Sequence, residues 1–480
     1  MAETIAAIST APGEGGIGIV RVSGPASLEI MRRMMTGCPD EIEPRHAYYG
    51  KVVADNSDPE AEVLDEAVFL YMKEPASYTG EDMLEIQGHG SNASMKAILR
   101  AVLGDGSGGI RMAEPGEFTK LAFLNGKMDL AQAEAVIDII KAKTDLSLGI
   151  AESQVEGRLS DKIHEMRDTL LDILAEMAVD IDYPEEEVYD SYDDFEDFGE
   201  SGEEKRSELV SRLRWVHSDI TDLLDTVSIG RIARDGVRAV IVGKPNAGKS
   251  SLMNAILGEG RVIVTDVPGT TRDTVEETAQ VSGVPIILID TAGLRETEDK
   301  VEKIGIERTA QAVAGADIVI LVLDGSQAFG EEDDKVLQFI EKMNTDNLIV
   351  VINKEDLGVN ISEDEVLSKM PGATVITTSL LGTAAGDAAR KISETIGDLL
   401  DLGSINVRET SIITNERHIQ MLRNADMNLD EAISMLQNGE PIEVAELSAH
   451  YAYDSLGKIL GEEVGEEVLN RVFSKFCLGK

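Results

Sequence analysis

The sequence predicts a multidomain chain joining an α+β unit, helical segments and an α/β domain with a parallel sheet, and three observations carry that expectation. First, 480 residues leave room for roughly three domains of about 100 to 200 residues each. Second, strand-like runs mixed with Gly and Pro up to about residue 118 give way to apolar residues at spacings of three and four. Third, between 237 and about 398 short apolar runs alternate with helix-length segments, the pattern of parallel strands covered by helices.

The elements follow in order. In residues 1–118 the runs "IGIVRVSG", "EAVFLYM" and "DMLEIQG" are strand-like, and "SNASMKAILRAVL" is a helix. From "NGKMDLAQAEAVIDII" the period becomes helical, and Leu159, Ile163, Met166, Leu170, Leu174 and Met177 form one apolar stripe. The stretch 183–205, "YPEEEVYDSYDDFEDFGESGEEK", is acidic, contains Gly and Pro and shows no apolar period, so a solvated, mobile linker is expected. A further helix from 205 to about 230 places Leu209, Leu213, Val216, Ile220 and Leu224 on one side. A new domain is expected at 235, with the strands "VRAVIVG", "VPIILID", "ADIVILVLD", "NLIVVINK" and "ATVITTS" running to 398. Beyond it, "ERHIQMLRNADMNLDEAISMLQ" and "VAELSAHYAYDSLGKIL" are helical again. Periodicity fits two helical domains, or one interrupted by the α/β domain.

Composition narrows the function classes. Hydrophobic residues make up 42%, which suits soluble globular domains, and runs such as "DIVILVLDG" are too short to span a bilayer. The opening "MAETIAAISTAPGEGG" lacks a secretory pattern, and Cys38 and Cys477 form no disulfide framework. A cytoplasmic protein away from membranes is expected. The balance of 44 basic against 89 acidic residues gives a net charge of −45, so a polyanion meets an unfavourable long-range field. Nucleic acid would require a local basic patch or a basic partner protein.

Four motifs describe a nucleotide site. "GKPNAGKSS", Gly243–Ser251, follows a strand and opens a helix. In that setting the backbone of Asn246, Ala247, Gly248 and Ser251 cradles phosphates, Lys249 reaches the terminal ones and the Ser250 hydroxyl ligates magnesium. "DTAG" places Asp290, Thr291, Ala292 and Gly293 at a strand end, where the carboxylate can hold a magnesium-bound water and the Gly293 N–H can meet the γ-phosphate. "NKED" places Asn353, Lys354 and Asp356 at another, and Asp356 can accept from guanine N1–H and its 2-amino group, donors that adenine lacks. GTP is therefore expected. Between them "TDVPGTTRD" supplies Thr265, Asp266, Val267, Pro268, Gly269, Thr270 and Thr271, a switch loop whose Thr271 can join the magnesium shell. Leu294 follows "DTAG" and cannot orient a water, so another group must; the acids of "RETEDKVEKIGIE" are local candidates, and Arg272 could counter developing charge.

From "GGIGIVRVSG" through "SYTGEDMLEIQGHG", "PGEFTKLAFLNGKMDLAQAEA", "GKPNAGKSSLMNAI", "PGTTRD", "DTAGLRETEDKVEKIGIER" and "NKED" to "FCLGK", the whole chain resembles the MnmE (TrmE) family of tRNA-modifying GTPases. The resemblance implies an N-terminal α+β folate-binding and dimerisation domain (1–118), a discontinuous all-helical domain (119–234 and 399–480) and an inserted P-loop GTPase α/β domain (235–398). It implies addition of a carboxymethylaminomethyl or aminomethyl group to C5 of a wobble uridine. The partners implied are a second copy of the chain, MnmG carrying FAD, and tRNA bound mainly through MnmG. Potassium would replace an arginine finger, held at Asn246, Thr265, Val267 and Thr270, and Glu302 would orient the water. Pro268, where many relatives have a small residue, stiffens that loop, and Leu380 stands after Ser379 where alanine is usual.

The one-carbon donor implied is 5,10-methylenetetrahydrofolate, with 5-formyltetrahydrofolate as an analogue, at Arg21, Glu85, Lys127 and Lys480. Glu85 could accept from the pterin N3–H and 2-amino group, and the cations suit an anionic tail. Lys480 lies in "SKFCLGK", which the resemblance turns from a tail into the far side of that site, with the role of Cys477 open. His89, in "QGHGS", has no second ligand at metal spacing and is expected in a turn. A GTP-gated RNA- or ribosome-assembly switch is the alternative, disfavoured by the acidic stretch after 401; a folate enzyme with a vestigial G domain is disfavoured by the intact nucleotide motifs.

Overall fold

The structure, a computed structural model, describes residues 3–104, 109–182, 202–259, 261–262, 276–281, 283–290, 312–343, 347–400 and 411–480. The chain divides into two compact units, one made of residues 1–137, 154–216 and 424–480 and the other of 138–153 and 217–423.

The first unit begins with β1 (Thr4–Ile8), β2 (Gly15–Ser23), α1 (Ser27–Met34), β3 (Ala47–Val53), β4 (Val63–Met72), β5 (Met83–Gly90), α2 (Asn92–Leu103), β6 (Ile110–Met112) and α3 (Glu117–Leu124). The strands form a six-stranded sheet of order β3-β4-β5-β2-β1-β6, antiparallel except for the β1–β6 pair. Strand alternation sorts its two faces. Val20, Val22, Leu84 and Ile86 pack with Ile30, Met31 and Met34 of α1 and Met95 and Ile98 of α2. Each such side chain removed from water contributes about 1.5–3 kcal/mol before chain entropy is counted. The other face carries Ile5, Ala7 and Met83 against Phe118 of α3. Directly paired residues Ala7, Arg21, Glu85 and Leu70 cross that face as one row. Sequence periodicity had predicted one helix here. α1 escapes it because Arg32 and Arg33 interrupt a single turn of apolar residues.

Helices α4 (Leu130–Lys141), α5 (Asp145–Val155), α6 (Arg158–Asp182), α7 (Gly202–Asp225) and α8 (Val227–Asp235) follow. All six residues of the stripe predicted along α6 are buried. Residues 183–201 of the predicted acidic linker lie outside the described residues, while 202–205 already belong to α7.

The second unit contains β7 (Val237–Gly243), α9 (Lys249–Glu259), β8 (Arg261–Val262), β9 (Glu276–Val281), β10 (Val284–Asp290), β11 (Ile318–Asp324), α10 (Glu331–Met343), β12 (Leu348–Asn353), α11 (Glu363–Lys369), β13 (Thr374–Thr377) and α12 (Ala384–Leu399). Its sheet has the order β13-β12-β11-β7-β10-β9-β8. The five strands expected from the sequence are mutually parallel, and β7, β10, β11 and β12 are buried on both faces, which is why they read as apolar runs, while β13 is an edge strand with only Ile376 buried. β9 and β8 add an antiparallel edge that was not expected. In "EETAQV" Ala279 and Val281 are buried, too weak a pattern to announce a strand.

Helices α13 (Glu416–Gln437), α14 (Ile442–Leu460) and α15 (Glu466–Phe473) complete the described chain. In the first unit α14 lies along α6. There the buried Arg167 guanidinium meets the Glu462 carboxylate through two 2.5 Å bonds and the Tyr453 ring at 4.2 Å. Among the described residues no helix is long and apolar enough to cross a membrane.

Candidate nucleotide and anion sites

β7 delivers the chain to Gly243, whose φ is 147° and whose Cβ, if present, would lie 2.3 Å from the Val322 carbonyl oxygen of β11. Only glycine permits that approach. The loop then turns through Asn246, an exposed non-glycine residue at φ 61°, and enters α9 at Lys249, whose N-terminal N–H groups suit an anion. Lys249 is buried and its ammonium donates to the Lys244 carbonyl at 2.8 Å. Ser250 Oγ donates to Asp290 Oδ2 at 2.9 Å, which joins a hydroxyl from α9 to a carboxylate at the end of β10. Ser251 follows, exposed, in the first turn of α9. This pair of hard oxygen donors fits a magnesium ion, which would polarise phosphate oxygens when bound.

One carboxamide connects the phosphate side to the base side. Asn353, at the end of β12, donates Nδ2–H to the Ala247 carbonyl at 2.8 Å and accepts from the Leu380 N–H at 3.1 Å through Oδ1. Lys354 sits at φ 69° and its ammonium meets Asp324 at 2.6 Å. Burial pushes the Asp324 carboxyl up, but hydrogen bonds from Lys354 and Ser326 outweigh it and hold the group below the usual carboxylate range. Asp356 is exposed and accepts from Ser379 Oγ at 2.7 Å, which orients its carboxylate beside the strand end. Leu380 is buried with Ala247 in the core beneath the loop. Thus Asn246, Ala247, Gly248, Lys249, Ser250, Asp290, Asn353, Lys354, Asp356 and Ser379 gather at the carboxyl ends of parallel strands, where open α/β sheets bind ligands. Thr265, Asp266, Val267, Pro268, Gly269, Thr270, Thr271, Arg272, Thr291, Ala292, Gly293, Leu294 and Glu302 lie outside the described residues.

A second cluster forms on the first unit's sheet. Arg21 and Glu85 are direct cross-strand partners, and Arg21 Nε and Nη2 donate to Glu85 Oε1 at 3.1 and 2.9 Å. Gln87 donates to Glu85 Oε2 at 3.2 Å. The Arg21 guanidinium lies 5.8 Å from the ring centres of both Tyr78 and Phe118, and Tyr78 is held by Thr119 at 2.9 Å. Segment 474–480 closes on this cluster. Arg21 Nη1 donates to the Gly479 carbonyl at 3.4 Å, and the Phe118 and Gly116 N–H groups donate to the Lys480 and Cys477 carbonyls at 3.2 and 3.4 Å. Gly479 has φ 86°, and a Cβ there would lie 2.4 Å from the Ile8 carbonyl oxygen. Burial and the neighbouring Arg21 charge pull the Lys480 ammonium below the usual lysine range, against the opposing effect of Glu85. Two cations beside the one Glu85 carboxylate suit an added anion.

The other residues singled out lie nearby or elsewhere. Lys127 donates to the Pro75 carbonyl at 2.9 Å, on the loop that carries Tyr78. Cys477 is an exposed free thiol. His89 lies on β5 instead of in a turn, with Nδ1 2.6 Å from Asp65 Oδ1. Gln87, Tyr78 and Phe118 were missed from sequence, although strand alternation could have put Gln87, two residues after Glu85 on β5, on the same face.

Two family models match, the "GTP-binding protein TrmE N-terminus" over residues 4–127 and the "MnmE helical domain" over residues 130–477. The chain is 43% identical to tRNA modification GTPase MnmE of Clostridioides difficile, covering 100% of this chain and 99% of that protein. It is 42% identical to the protein of the same name from Geobacillus thermodenitrificans over 100% of this chain and 99% of that one, and 41% identical to that of Bacillus subtilis over 100% of each. Among solved structures, the G domain of the T. maritima FeoB iron transporter is 29% identical, covering 33% of this chain and 98% of that one at a TM-score of 0.26.

Proposed function

This chain belongs to the MnmE family, and on that premise we propose that it is a GTP hydrolase whose turnover drives modification of tRNA. The observation that carries the reading is the Asn353 carboxamide, which binds the phosphate loop through Ala247 and the base side through Leu380. Asp356, oriented by Ser379, would accept from guanine, Lys249 would hold the terminal phosphates, and Ser250 with Asp290 would hold the magnesium ion. The acid at Glu302 would orient the attacking water.

The finer parts of the proposal concern cofactors and partners. Potassium at Asn246, Thr265, Val267 and Thr270 would neutralise charge as phosphate transfer proceeds. Arg21, Glu85 and Lys480, with Lys127 on the neighbouring loop, would hold a tetrahydrofolate supplying one carbon. The chain would act as a homodimer with MnmG, which would bring FAD and most of the tRNA contacts, to place an aminomethyl or carboxymethylaminomethyl group at C5 of wobble uridines.

Turnover of GTP in potassium against sodium, followed by mass analysis of wobble uridines from cells lacking the gene, tests both layers. Faster turnover in potassium and loss of the C5 substituent are expected. Equal rates in the two salts would exclude the cation role, and unchanged uridines would leave a GTP-gated switch.

A further inference from the structure

The run "EEDD", Glu331–Asp334, opens α10, where four acids in a first turn have the ordinary explanation of complementing a helix N-terminus. Three of them conform. Asp333 does not, because it is 4% exposed while Glu331, Glu332 and Asp334 are not buried. Its Oδ2 accepts from the Gly330 N–H at 3.0 Å, a cap on its own helix, and from the Lys244 ammonium at 2.5 Å. Lys244 is the residue after Gly243 in the phosphate loop, 89 positions away in sequence.

Lys244 in turn governs the loop through its backbone. Its carbonyl accepts from the Lys249 ammonium at 2.8 Å and from the Ala247 N–H at 3.4 Å. The carbonyl faces Lys249 only if the Lys244–Pro245 peptide is held, and because Gly243 is fixed in the β7 ladder opposite Val322, the rotations left to restrain are those of Lys244 itself. The side chain of Lys244 supplies the restraint by ending in a largely buried ion pair. Such a pair resists rupture because a lone buried carboxylate is costly.

We propose that Asp333 is a positioning residue for GTP binding, anchoring Lys244 so that its carbonyl presents Lys249 to the terminal phosphates. Asp333 touches no nucleotide in this scheme. It acts through one side chain and one peptide group, and the inference rests on the GTPase reading above.

The test is nucleotide affinity and turnover of the full-length protein carrying Lys244→Met, Lys244→Arg, Asp333→Asn or the Lys244→Met/Asp333→Asn pair, with thermal melting measured alongside. Lys244→Met keeps the Asp333 cap on Gly330 but strands its buried carboxylate, so the double variant, which removes that charge, separates loop anchoring from stability. We expect Lys244→Met to weaken GTP and GDP binding and raise KM about tenfold with kcat within about twofold, which corresponds to about 1.4 kcal/mol. Lys244→Arg should restore most of the affinity, and the double variant should be no worse than Lys244→Met. Unchanged affinity in Lys244→Met, or additive losses in the double variant, would overturn the inference and leave Asp333 as a helix cap alone. A parent protein that binds no GTP would instead overturn the GTPase reading.

Discussion

Arg21 shows how much one side chain can organise. Its guanidinium meets Glu85, two aromatic rings and the Gly479 carbonyl at once, so Arg21→Ala strands the Glu85 carboxylate and opens the contact with segment 474–480. Loss of a charge-assisted anion contact is worth about 1.5–3 kcal/mol, so affinity for a tetrahydrofolate analogue should fall at least tenfold by calorimetry, while GTP turnover persists. His89 makes a different prediction. Asp65 raises its pKa by a hydrogen bond and by charge, while hydrogen bonds from Ser94 and His89 depress that of Asp65 against the upward push of burial. A raised histidine contributes fully below its unfolded value of about 6.5 and loses that contribution as pH climbs through the folded value; a depressed aspartate contributes above about 3.9 and loses it as pH falls. The melting temperature lost in His89→Ala should therefore be greater at pH about 6 than at pH about 9. At this scale contiguous motifs were legible, because "GKPNAGKSS", "DTAG" and "NKED" carry their geometry in local spacing. Asp333 was not legible, since an acid in "EEDD" gives no sign of the lysine 89 residues earlier that it meets.

Among elements, the closest approaches are made by glycines. A Cβ on Gly248, where φ is 111°, would lie 2.1 Å from the Asn353 Nδ2 that holds the phosphate loop. Gly248→Ala should therefore abolish measurable nucleotide binding while circular dichroism and the first unit's melting transition stay unchanged. Retained affinity would mean that α9 and β12 can separate at no cost to the site. The strands that carry the nucleotide residues were legible because burial on both faces leaves an unbroken apolar run, as in "IVILVLD" of β11. β9 and α1 were hidden for the opposite reason. One lies between β10 and the two-residue outer strand β8 with only Ala279 and Val281 buried among its described side chains, and the other is two turns long with two arginines.

At the scale of the molecule, the charge of −45 sets an expectation for nucleic acid. The protein alone should bind tRNA weakly at physiological salt, and if the proposed partnership with MnmG holds, addition of MnmG should bring both affinity and a steep salt dependence. Tight binding by the isolated chain in a filter or gel assay would contradict this. The division into two units made of separated segments could not be read from periodicity, which left two helical domains and one interrupted domain equally admissible.

The contact of Arg21 with Gly479 spans 458 positions, and that distance has a temporal meaning. Synthesis proceeds from the N-terminus at about 5–20 residues per second, and domains fold as units while it continues. The sheet that carries Arg21 and Glu85 is complete by Met112, and the last strand of the nucleotide sheet by Thr377, before α13 to α15 exist. A nascent chain should thus acquire its nucleotide site well before the anion site receives Lys480. If both sites bind as proposed, ribosome-bound intermediates would be competent for GTP and not yet for the second ligand, and loading of the two sites would be ordered from birth.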